Sequence, residues 1–202
     1  MKSENEYIGD DKFKKFLEHY ACPMPLGVVK MRFVGAVCSP NGDLRPTDVI
    51  ASLWKDNQTP RLETKAEAEL FFKFFMGLWD EMLHLVMLNS VSLERIGEKD
   101  DLKEICLRRY DEIEAGFVEG FWGGLQELKI PAYIAQIVDS LSELAEVYRT
   151  LEQKIKPEQE NKPVFDALVS CDKAANKSIH FIVEQYALPH IEELKHSERK
   201  GN

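Results

Sequence analysis

The sequence predicts an all-α fold: one domain, residues 1–202, built as a single multihelical bundle of about seven helices. Three observations lead there. Apolar residues recur three and four apart, and no stretch alternates with period two. Clusters of Pro, Gly and Asn cut the chain into segments of helical length. Hydrophobic residues make up 44% of the chain, enough to fill one core, which excludes disorder as the main state.

The elements follow in order. A first helix covers roughly 10–21 and is stopped by Cys22-Pro23-Met24-Pro25. A second runs from about 26 to 38 and ends at Ser39-Pro40-Asn41-Gly42, a turn by composition. The third begins at Pro46, where a missing N–H costs nothing, and carries Val49, Ile50, Leu53 and Trp54. The fourth, 64–88, opens on a capping box, Thr64 with Glu67 three residues later. Its polar positions Glu69, Lys73, Gly77, Asp80 and His84 form one narrow stripe on an otherwise apolar cylinder. Such a helix is either central in the fold or shared with a partner.

The fifth helix, 101–128, starts at a cap formed by Asp101 with Glu104 and contains Gly116, Gly120, Gly123 and Gly124. The sixth, 132–155, follows Pro131 and carries a seam of Ile134, Ile137, Leu141, Leu144, Tyr148, Leu151 and Ile155, ended by Lys156-Pro157. The last, 162–188, has Pro163 in its first turn and Phe165, Leu168, Ala175, Ile179, Ile182 and Tyr186 on its apolar face. Pro189 is expected to kink or break it, because its ring meets the carbonyl four residues back.

Charge narrows the function. Acids outnumber bases 35 to 26. Residues 1–101 hold 13 bases and 17 acids, and residues 102–202 hold 13 and 18. Neither half offers a basic footprint, which argues against nucleic acid as a partner. The most apolar window, Leu70 to Leu88, contains Lys73, Asp80, Glu81 and His84, which disqualifies it as a bilayer span, so no membrane partner is expected. The polar N-terminus has no apolar signal region. Cys22, Cys38, Cys106 and Cys171 lie far apart and read as reduced, mostly buried thiols of a cytoplasmic protein.

Candidate chemistry is sparse. Two Glu-x-x-His pairs, Glu81/His84 and Glu193/His196, have the spacing that carboxylate-bridged di-iron bundles use. With five His in 202 residues and many Glu, chance supplies such pairs. His84 also lies on the polar stripe, where Asp80 can pair with it at i, i+4. His180 with Glu184 has the spacing of two ligands on one helix face, and its bland reading is a satisfied, partly buried histidine. His19 and His190 have no ligand-type companion at helical spacing. No nucleophile motif is present. The expectation is no cofactor, no metal and no enzymatic activity.

Gly116-Phe-Val-Glu-Gly120-Phe121-Trp-Gly-Gly124 is better read as packing than as a phosphate cradle. A cradle needs a preceding strand and glycines in a turn. Inside a helix, Gly116, Gly120 and Gly124 share one face, and Gly costs about 1 kcal/mol relative to Ala there. A stripe of them is tolerated where another helix, from this chain or a partner, packs closely. Gly116, Gly120, Phe121 and Gly124 are therefore the expected helix-packing or partner-binding residues.

Residues 26–128 also carry a recognisable pattern. Phe33-Val34-Gly35-Ala36-Val37-Cys38-Ser39-Pro40 is followed by Arg45-Pro46-Thr47-Asp48-Val49-Ile50-Ala51-Ser52-Leu53-Trp54, then Glu67-Ala68-Glu69-Leu70, then Glu114-Ala115-Gly116-Phe117-Val118-Glu119-Gly120-Phe121. This resembles the YecA/YgfB family of all-helical bacterial proteins. The departures are Met31-Arg32, where that family prefers a Gly-aromatic pair, and the absence of the cysteine-rich tail of its longer members. The resemblance implies a helical fold and partner binding, and supplies no catalytic residues. A second segment, Phe181-Ile-Val-Glu-Gln-Tyr-Ala-Leu-Pro189-His-Ile, is similar to a stretch near the end of TorD/DmsD-type chaperones, whose Glu-Pro-x-Asp-His motif is missing here.

The expected function is a non-enzymatic helical protein-interaction module, regulatory or chaperone-like, with homodimerisation expected from its surplus of helix-packing surface. The alternatives are a TorD/DmsD-type maturation chaperone and a metal-dependent, di-iron-like bundle enzyme using Glu81, His84, His180 and Glu184.

Overall fold

The structure, a computed structural model, describes residues 5–97, 100–156 and 161–193. Among the described residues it holds seven helices and no strand. These are α1 (Asp10–His19), α2 (Leu26–Cys38), α3 (Pro46–Ala51), α4 (Lys65–Met87), α5, α6 (Ala132–Lys154) and α7, with a 3-10 turn at Lys55–Asn57. Helix α5 is composite: an α-helical part Leu102–Asp111, a π-helical part Glu112–Val118 and a last α turn Glu119–Trp122. Helix α7 likewise runs α-helical over Lys162–Ile182 and π-helical over Val183–Ala187 before continuing as helix through 188–193. Among the described residues, no helix is long and apolar enough to cross a membrane.

Local chemistry sets the helix ends. Thr64 Oγ1 accepts the Glu67 N–H at 3.1 Å, while the Glu67 carboxylate accepts from the Glu63 N–H at 2.7 Å. Asp101 caps α5 by accepting from the Lys103 and Glu104 amides at 2.8 and 3.3 Å. Thr64→Ala is expected to lower stability by about 1 kcal/mol, the usual worth of such a cap. A urea melt reads it, and an unchanged midpoint would contradict a structural role for the cap. Helix α4 ends with Asn89 at φ 47, the left-handed position that Asn tolerates, and with Ser90 N donating to Leu85 O at 2.9 Å.

The hub of the fold is α2. Its only charged residues are Lys30 and Arg32, and ten of its thirteen residues are buried. It packs on the π-helical part and last turn of α5, on α4 and on α1. By contrast, α4 buries one face, Phe71, Phe75, Gly77, Leu78, Met82 and Val86. Phe75 meets Phe13, Phe16 and Phe71 with ring centroids 5.4, 5.3 and 5.0 Å apart, which closes the α1–α4 side of the core. Gly77 on the expected polar stripe is buried, because the backbone of Glu6 crosses it.

Three boundaries differ from expectation. Helix α5 ends at Trp122, not near 128: Gly123 takes φ 58 and Gly124 φ 77, so the glycine pair forms a left-handed stop. Helix α3 ends at Ala51, and Trp54 lies outside it with its indole N–H on Tyr20 O at 3.2 Å. Pro189 does not end α7. The wider π-helical turns stand immediately ahead of it, where its ring would meet the carbonyl of residue 185, and the helix continues beyond. On α6 the buried stripe is Ile134, Val138, Leu141, Ala145, Tyr148 and Leu151. Ile137, Leu144 and Ile155 from the expected seam are only partly buried, flanking a face widened by contact with both α5 and α7. Pro157 lies outside the described residues.

Candidate functional site

The glycine stripe resolves into two different devices. At Gly116 a Cβ would lie 2.8 Å from Met31 Cβ, and at Gly120 it would collide with the Arg32 carbonyl oxygen. Gly35 on α2 answers them, since its Cβ would collide with Phe117 O. These glycines let α2 and α5 approach until backbone meets backbone. Phe121 is fully buried beside them, its ring 6.4 Å from that of Phe117. Gly124 does not belong to this face. It lies past the helix end, with open space where a side chain would stand.

The metal candidates do not converge. His84 is exposed and Glu81 half-buried on α4. His180 Nε2 donates to Val91 O at 2.6 Å, and Glu184 is exposed. Glu193 is at the end of the described helix and His196 lies outside the described residues. Among the described residues, no three His, Cys, Asp or Glu side chains are grouped so as to hold a metal ion. Burial pushes the Cys38 thiol up to about 12 and the Cys106 thiol up to about 11, so both stay protonated and weakly nucleophilic at neutral pH.

What sequence reasoning missed is a buried charge network. Arg109 is fully buried on α5. Its Nη1 meets Glu112 Oε2 at 2.5 Å, and its Nε meets both Asp172 oxygens at 3.2 Å. Nη2 reaches Asp172 Oδ2 at 3.1 Å and also donates to Glu94 O. Tyr148 Oη donates to Asp172 at 2.8 Å. Burial and the neighbouring Asp172 carboxylate push the Tyr148 hydroxyl well above its ordinary range. Burial also pushes the Glu112 carboxyl up, opposed by the Arg109 and Arg108 guanidiniums. One guanidinium thus ties α5, α6, α7 and the α4–α5 connection together. The i, i+3 spacing of Arg109 and Glu112 was visible in the sequence, but Asp172 is 63 residues away and carries no local signal.

The same network straps the α4–α5 connection to the helices. Glu94 O takes Arg109, Leu93 N donates to Asn176 Oδ1 at 2.8 Å, and Val91 O takes His180. Between this strap, the first turn of α2 and helices α1, α4 and α5 lies a groove of about 390 Å³. Leu26, Met31, Val34, Met82, Leu85 and Val91 give it an apolar floor, and Asp10, Lys14, Lys30, Glu94 and Arg108 rim it with both signs of charge. Lys30 sits 2.6 Å from Asp10, which also accepts from Tyr7 Oη at 2.8 Å. Against partial burial, those two contacts hold the Asp10 carboxyl below its usual range. Gly27 leaves the room that the Glu112 carboxylate fills at the groove wall.

A comparison with protein-family models finds no match to this chain, and comparisons with curated proteins and with solved structures find no significant match either.

Proposed function

We propose that the chain is a cytoplasmic, non-enzymatic helical module that acts by holding a segment of a partner protein in the groove beneath the 91–94 strap. The observation that carries this reading is the groove's composition. A floor of Met and Leu adapts to the side chains of a docked segment, and a rim of both charge signs orients it. Its volume falls in the range of sites that hold a small ligand or a few side chains. The resemblance to the YecA/YgfB proteins, which implies partner binding, is part of the same proposal.

Leu85 is half-buried in the groove, so Leu85→Arg places a charge on the floor without opening the core. Affinity capture from host extract with the wild-type chain is expected to retain a partner, and L85R to bind it at least about tenfold more weakly. The melting temperature should stay the same. Equal recovery by the two chains, or no recovery by the wild type, defeats the reading. Self-association is the case in which the partner is a second copy, and light scattering at micromolar concentration distinguishes it.

A further inference from the structure

We propose that a second cavity, between α2, α3 and the end of α5, binds a small zwitterion of the amino-acid class, its carboxylate on Arg32 and its ammonium on Glu119. The cavity measures about 360 Å³ and shares no lining residue with the groove, so this inference stands apart from the partner-binding reading.

Arg32 is a charge with no carboxylate in contact among the described residues. Arg32 is 6% exposed, yet its hydrogen bonds go to neutral oxygens. Nε and Nη2 both donate to Ala115 O, at 2.9 and 2.5 Å, and Nη1 donates to Ser52 Oγ at 3.1 Å. Ser52 Oγ spends its own proton on Val49 O at 2.8 Å, so it faces Arg32 purely as an acceptor. A guanidinium has five N–H bonds. Among the described residues, one N–H on each Nη therefore has no acceptor. Arg109, the other buried guanidinium among the described residues, has two carboxylates in direct contact. A buried charge without such contact is expensive unless something pairs with it. Burial pulls the Arg32 guanidinium down, and the field of Glu119 offsets this only in part.

The other walls select the ligand. Asp48 and Glu119 both line the cavity, so a polyanion such as phosphate would meet two carboxylates. Asp48 is already held by Arg45 at 3.0 and 3.1 Å. Glu119 is exposed and belongs to the last turn of α5, one residue before Gly120, and it is the acid left to receive a cation. Leu44 and Val49 supply an apolar wall for a side chain, and the open face of Gly124 keeps the space clear.

The test uses the purified chain with a panel of free L-amino acids, their N-acetyl and methyl-ester forms, and inorganic phosphate. The readout is backbone amide chemical shifts. At least one free amino acid is expected to shift the amides of Ser52, Gly120 and Gly124, with both blocked forms about tenfold weaker or worse. Glu119→Gln, at an exposed position, should weaken the free amino acid and leave the N-acetyl form unchanged. Arg32→Lys keeps the charge but loses the fork, and should weaken both. The proposal is overturned if no free amino acid moves those amides, if phosphate moves them more strongly, or if E119Q binds the free amino acid as the wild type does.

Discussion

Replacing Arg109 with methionine is expected to lower the stability of the fold by about 3–5 kcal/mol, the usual consequence of stripping one partner from a buried ion pair. At this chain length that corresponds to a fall of roughly 6–20 °C in melting temperature. Methionine fills the stem of the side chain, so the loss comes from charge and not from a void. Among the described residues, Glu112, 5% exposed, would keep only Arg108, whose Nε stands 3.9 Å from it. Asp172 would keep the Tyr148 hydroxyl and, among the described residues, no cation in contact, and Glu94 O would lose its donor. Removing the stranded charges should reverse part of the deficit, so R109M with Glu112→Gln and Asp172→Asn is expected to be more stable than R109M alone. The strap gives a local readout: the Leu93 amide, bonded to Asn176, should exchange with solvent faster in R109M. A melting temperature within two degrees of the wild type would mean that the network contributes little, contrary to its burial.

Much of the fold was legible because helix ends are local chemistry. Thr64 with Glu67, Asp101 with Glu104, Pro46 and the Ser39-Pro40-Asn41-Gly42 turn each act within a few residues, and each sits at or next to a helix boundary. The centrality of α2 was harder to see, since a short apolar segment looks the same whether one or all of its faces are covered. The π-helical part of α5 carried no sequence signal, whereas that of α7 lies just ahead of Pro189, the residue expected to kink or break the helix. The α5 part is held where Arg32 and Arg109 reach it from α2 and from its own preceding turn. The groove, the strap and the Arg32 cavity depend on pairs such as Arg109–Asp172, Asn176–Leu93 and Arg32–Ala115, each more than 60 residues apart. Gly124 was misplaced for an instructive reason. Its spacing of eight from Gly116 suggested a shared helix face, while the Gly123-Gly124 pair was itself a turn signal of the stronger kind.

That distinction yields the second large effect. Gly120→Leu is expected to destabilise the protein by about 3 kcal/mol or more, at or beyond the upper end of ordinary overpacking. The obstacle is backbone. A Cβ at 120 strikes the carbonyl of Arg32, and no side-chain rotamer relieves it. Helices α2 and α5 would have to separate, and Gly35 packs against Phe117 and Phe121 across the same contact, so the strain is not local. Gly124→Ala is the matched control. None of the described residues stands within 4 Å of a Cβ there, and the cost is only that of a left-handed conformation at φ 77, about 1–2 kcal/mol for an L-residue. Denaturant melts of the two variants separate packing from conformation. If G120L melted with the wild type, the close approach of α2 and α5 would not be the contact that organises this core. If G124A fell as far as G120L, the glycines would belong to one device after all, and the helix stop at Trp122 would need another cause.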